Sequence, residues 1–166
     1  MNIEIEVIKE DVLLQVKTEA FYTGESNKDG DIVTINRATK TQLSDDDDYI
    51  LETYIDSAAT VMAATLTGHL SNATVDQQQE QTEKGTDTTK YVFTLDVPST
   101  YDTNQTPSIK KGIQDYMCAY ALYRWYKRVD PKMADASELE KFISDINHRI
   151  NQRTRPVRRT VLPLNF

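Results

Sequence analysis

One cysteine, Cys118, cannot close an internal disulfide, and with only two histidines beside it the chain lacks the ligands for a Cys/His zinc site. Five glycines are present, none in the G-x-G-x-x-G or G-x-x-x-x-G-K spacing that cradles phosphate, and no serine sits in a G-x-S-x-G turn. No apolar run approaches the roughly 20 residues of a membrane-spanning helix. The acidic start MNIEIEVIKED is the reverse of the basic opening of a signal peptide. These absences point to a soluble protein of a reducing compartment, with no metal, no cofactor and no membrane partner. Disorder is excluded in turn, because nine Tyr, four Phe and Trp125 gather in periodic segments.

What is present fits one domain. The chain has 166 residues, and 39% apolar content fills one modest core. Its net charge of -7 is unevenly spread. Residues 1 to 100 hold 19 acids and 7 bases, a net of -12, whereas 101 to 166 hold 7 acids and 12 bases, a net of +5. Such a split suggests a chain that meets different surfaces at its two ends.

The periodicity predicts four helices. Ile5, Ile8, Val12, Val16 and Ala20 recur every three or four residues and place a first helix over about 5–22, with Gly24 near its C-terminus. Ile32 to Ile35 has the makings of a short strand. Ser44 followed by Asp45, Asp46, Asp47 and Asp48 reads as the start of a second helix, a hydroxyl cap with four carboxylates at the positive end of the macrodipole. Leu51, Ile55, Ala58, Met62, Thr65 and His69 then mark its face, which ends near residue 70, and Ala58, Ala59, Ala63 and Ala64 allow a neighbour to approach closely. Thr106 and Pro107 open a third helix running to about Arg128, the most apolar of the four. Asp130-Pro131 and Ser137 with Glu140 offer starts for a fourth, which ends near Gln152.

Two segments are not helical. Tyr91, Phe93, Leu95 and Val97 alternate with polar or smaller residues, the period of a half-buried strand, and 73–82 is its nearest partner across Glu83-Lys84-Gly85-Thr86, so a β-hairpin is expected over 73–97. After the last helix, Pro156 and Pro163 exclude a continuous helix and favour extended backbone. The expected fold is thus mainly α: a four-helix bundle with an inserted β-hairpin, residues 1–152, followed by an extended basic and apolar C-terminal arm, 153–166.

Chemistry is sparse. Four consecutive carboxylates in a first helical turn diverge, so Asp45 to Asp48 do not converge on one cation. His69 and His148 each fall near a helix C-terminus, where a protonated imidazole complements the dipole. Cys118, between Met117 and Ala119, reads as a buried, inert thiol. The reading is of a non-enzyme. Tyr116, Tyr120, Tyr123, Trp125 and Tyr126, interleaved with Arg124, Lys127 and Arg128, suit either a base-stacking platform or, at helical spacing, a core with polar tips, and the core reading is the stronger. The arm carries the distinctive pattern. Arg149, Arg153, Arg155, Arg158 and Arg159 occur with no acid among them, around Pro156, and Val157, Val161, Leu162, Leu164 and Phe166 are costly to leave in water. Such a segment is built to lie in a groove.

The order of segments resembles the head-to-tail connector, or adaptor, proteins of tailed bacteriophages: AFYTG ending the first helix, LSDDDDYILETYIDSAATVMAATL, KYVFTLDVPSTYD, IKKGIQDYMCAYALYRWY, and a last helix entering RTRPVRR. The resemblance implies a small helical structural protein of the virion neck, assembled in the host cytoplasm as a ring, typically a dodecamer, beneath the portal protein. It implies an arm at Arg153 to Phe166 that runs along the portal or a neighbouring copy, lateral or lumen contacts at Asp45 to Asp48, a downstream tail protein as second partner, and DNA that passes through the channel without specific binding. A tail-completion or stopper subunit, or a nucleic-acid-binding module using Arg149 to Arg159, are the alternatives.

Overall fold

The computed structural model describes residues 1–26, 43, 47–81 and 87–151. The chain runs β1 (Asn2–Ile8), α1 (Lys9–Ser26), α2 (Asp48–Thr67), β2 (Ala73–Gln81), β3 (Asp87–Asp96), α3 (Thr106–Val129) and α4 (Ser137–Ile150). It is mainly helical, with a small three-stranded antiparallel sheet in the order β1-β3-β2.

The N-terminal segment corrects the sequence reading. Residues 2–8 are a strand, and the helix begins only at Lys9. Two periods overlap at Ile5: the three-four spacing that runs on through Val12 and Val16, and an alternation of Ile3, Ile5 and Val7 with Asn2, Glu4 and Glu6. The alternation prevails because β3 offers a partner, with Ile5 opposite Phe93 and Val7 opposite Tyr91. Ile5 and Val7 are buried while Glu4 and Glu6 face solvent. The expected hairpin forms, β2 pairing with β3 from Ala73 opposite Leu95 to Gln81 opposite Asp87, but β3 is the middle strand of three. Its Tyr91, Phe93 and Leu95 all enter the core. The turn at Glu83 to Thr86 and the segment Ile32 to Ile35 lie outside the described residues.

Helix boundaries follow local polar chemistry. α1 continues past Gly24 to Ser26. Asp47 is the residue before α2, so the helix begins three residues later than a cap at Ser44 implies; Ser44 itself is outside the described residues. Gly68 ends α2. Ahead of α3, Asp102 accepts from the Asn104 N–H and closes a short 3-10 turn at Thr103–Gln105, so Thr106 sits in the first turn with Pro107 rather than capping it. Asp130 does the same for the turn Pro131–Met133. Asp135 then accepts from both the N–H and the hydroxyl of Ser137, at 2.8 and 2.9 Å, as α4 starts.

The core forms where these elements meet α3, which touches the other three helices and β1. Ile109, Ile113, Tyr116, Met117, Ala121 and Trp125 are buried along it. Leu51, Ile55, Ala58, Met62 and Leu66 face it from α2. α4 rests on α3 through Ile146 and Ile150, both fully buried, while Leu139, Phe142 and Ile143 are only partly covered. Contact there is close because position 112 is glycine: a Cβ at Gly112 would lie 2.9 Å from Ile146 Cγ1.

Candidate interaction surfaces

The strand-to-helix junction places Lys9 against α2. Its ammonium lies 3.0 Å from Asp56 and 3.4 Å from Glu52, and the Tyr91 hydroxyl donates to the same Asp56. Lys9 is nearly buried, whereas both carboxylates are close to half exposed, so the charge is paired without full desolvation. Burial and the hydrogen bond to Asp56 raise the Tyr91 phenol far above its ordinary value. The cluster joins β3, α1 and α2.

The acidic run divides. Asp45 and Asp46 lie outside the described residues, and Asp47 precedes the first turn of α2. Asp48 is engaged within the molecule: Lys17 approaches its two carboxylate oxygens at 2.7 and 2.9 Å and ties α2 to α1. Of the expected arm residues, Arg149 is described, half-exposed in the last turn of α4. Arg153, Arg155, Pro156, Val157, Arg158, Arg159, Val161, Leu162, Leu164 and Phe166 lie outside the described residues.

The imidazoles and the thiol are dispersed among the described residues. His69 lies just past the C-terminus of α2 and His148 in the last turn of α4, both exposed. Cys118 is buried, and desolvation pushes its thiol up to about 12. Among the described residues, no group of three or more His, Cys, Asp or Glu side chains could hold a metal ion, and no helix is long and apolar enough to cross a membrane. Tyr116, Trp125 and Tyr126 are buried, so these rings belong to the core and present no open face to a base. Tyr120 and Tyr123 remain half-exposed, the first stacked on Tyr116 and the second under the Lys127 ammonium.

Two grooves flank α4, and sequence reasoning found neither. One, of about 500 Å³, runs between α4 and the end of α2; Leu139, Ile143 and Tyr116 line it, with Glu140 and His69 at its polar edge. The other, of about 540 Å³, runs between α4 and α1 over α3. Its walls bring together Glu19 from α1, Asp115 from α3 and Asp135 and Glu138 from the start of α4, against a single Lys111. Lys111 and Gln15 both bond Asp115, at 2.7 and 2.9 Å. Leu122, Tyr123, Met133 and Phe142 add apolar surface to the same walls. These acids lie 119 residues apart at the extremes and share no periodic signal, so only the packing of α1 and α4 on α3 assembles them.

A further surface is apolar. Leu14, Phe21 and Tyr22 on α1 are 67%, 53% and 66% exposed, and Phe21 and Tyr22 meet edge to face with centroids 5.8 Å apart. Tyr49, at the start of α2, is 80% exposed. Comparison with protein-family models, with curated proteins and with solved structures finds no match to this chain.

Proposed function

We propose that this chain is a head-to-tail connector of a tailed-bacteriophage particle, a non-enzymatic adaptor in which α1 to α4 form a bundle with the sheet as an insert. Copies assemble as a ring, a dodecamer in this reading, below the portal protein and above a downstream tail protein, in the neck of the virion. DNA passes through the ring without being held, because an acidic body repels phosphate.

The observation that carries the reading is the handover at the end of α4. A helix anchored by Ile146 and Ile150 ends at Ile150, directly before a stretch with four arginines, no acid and five large apolar side chains. Such a segment suits docking on another surface: arginines pair with carboxylates, apolar side chains are buried, and in a ring the modest contribution of each arm repeats in every copy. The exposed Leu14, Phe21 and Tyr22 favour lateral contact between copies, since large apolar side chains gathered on one surface mark association sites.

Deleting residues 153–166 is expected to leave the far-ultraviolet circular dichroism of the helices unchanged while abolishing co-sedimentation with portal rings. Retained binding removes the proposed role of the arm. A full-length chain that attaches to isolated tails but not to portals is instead a tail-completion or stopper subunit. Tight, salt-sensitive oligonucleotide binding would favour the nucleic-acid reading.

A further inference from the structure

The groove between α1 and α4 has walls that carry four carboxylates and one ammonium. Its walls combine acidic and apolar side chains, and residues 153–166 have the complementary character. Residues 153–166 hold Arg153, Arg155, Arg158 and Arg159 with no acid, followed by Val161, Leu162, Leu164 and Phe166. We infer that this groove is the seat of the chain's own residues 153–166, held in cis before any partner is met.

Charge is the first reason. Asp115 already shares Lys111 and Gln15, and Asp135 caps Ser137, but Glu19 and Glu138 both line the channel and are both exposed to an incoming cation. Guanidinium groups pair with carboxylates in a planar fork, and their stems lie well along the faces of Tyr123 and Phe142. The groove on the other side of α4 has Glu140 as its one carboxylate and offers no such match.

Reach is the second. α4 runs antiparallel to α3, since Ile146 packs at Gly112 while the turn at Pro131–Met133 joins the opposite ends. Ile150 lies about one turn beyond Ile146, so the arm leaves α4 about one turn past the Lys111 end of the groove. From Lys111 to Tyr126 the channel follows about 22 Å of helix. Fourteen residues in extended backbone span about 45 Å, enough to traverse it once. A short tether also gives the attached arm an effective concentration in the millimolar range, which favours the arm of the same molecule over that of a second copy. The inference concerns the free chain and stands whether or not the eventual partner is a portal.

The test uses the full chain carrying Leu162→Cys and Cys118→Ala, with a benzophenone attached at position 162. Illumination followed by peptide mapping is expected to place adducts within 115–126 and 133–142. In a mixture of isotopically heavy and light chains, every adduct should join peptides of the same isotope. Charge reversal at two exposed positions, Glu19→Lys with Glu138→Lys, should reduce the adducts severalfold without altering the helical spectrum. Adducts on Thr65 or His69, no adducts on the protein, mixed-isotope adducts, or a yield indifferent to the double reversal would each overturn the inference.

Discussion

Four acids are buried with their protons on. Cys118, Tyr91, Tyr116 and Tyr126 are each raised above their ordinary values, desolvation being the largest cause in every case. A raised acid binds its proton more tightly folded than unfolded. Below its ordinary value both states are protonated and the stabilisation is complete; above it the unfolded chain ionises first and stability falls as pH rises. Melting temperatures should therefore hold near neutrality and drop progressively above about pH 9, and Cys118→Ala should make the onset of that drop shallower. The thiol gives a second readout. Because the thiolate is the reactive form, iodoacetamide near pH 8 should leave the folded protein unmodified while labelling Cys118 fully in urea. At Lys9 the concern is pairing: Lys9→Ala leaves the half-exposed Asp56 and Glu52 without their cation, and urea titration should register a loss of about 1 kcal/mol or less. In an Asp56→Asn background the same change should cost less.

Elements are held together at a few close approaches. Gly112→Ala pits a gain in helix propensity of about 1 kcal/mol against overpacking on Ile146, for which about 1–3 kcal/mol is the usual penalty. The substitution should therefore destabilise in the natural chain. It should stabilise once Ile146→Ala has removed the opposing side chain, and equilibrium unfolding of the four variants gives the sign in each background. In the sheet, Phe93 is fully buried at the centre of the middle strand, opposite Ile5 on one side and Val75 on the other. Phe93→Ala should cost about 3–5 kcal/mol by urea titration. β1 shows how a neighbour decides an ambiguous segment. Seven residues with both a two-residue and a three-four-residue pattern have no intrinsic winner, and the strand forms because β3 has a free edge beside it.

Across the whole molecule, an acidic body with exposed Leu14, Phe21 and Tyr22 is followed by a basic arm. If these side chains mediate lateral contact, Leu14→Lys with Phe21→Lys should lower the mass seen by light scattering from that of an assembly of 19.0-kDa subunits toward a single one, with helical content unchanged. An unchanged mass assigns the contact elsewhere.

The sequence by itself determined four helices, with their faces and most of their ends, because each is specified by spacing and capping chemistry within a few residues: Leu51 to Leu66 on α2, Ile109 to Trp125 on α3, Ser137 with Glu140 at the start of α4. It also determined the β2–β3 hairpin, the buried state of Cys118 and the basic character of the arm. Only the tertiary structure decided that residues 2–8 are a strand, since that depends on an edge some 85 residues away. The same holds for the engagement of Asp48 by Lys17 and for the acidic groove. Glu19, Asp115, Asp135 and Glu138 follow no common period, and nothing local distinguishes them from other solvated acids. They become one surface because α1 and α4 bury their apolar stripes on the same helix, and what borders those stripes is thereby brought face to face.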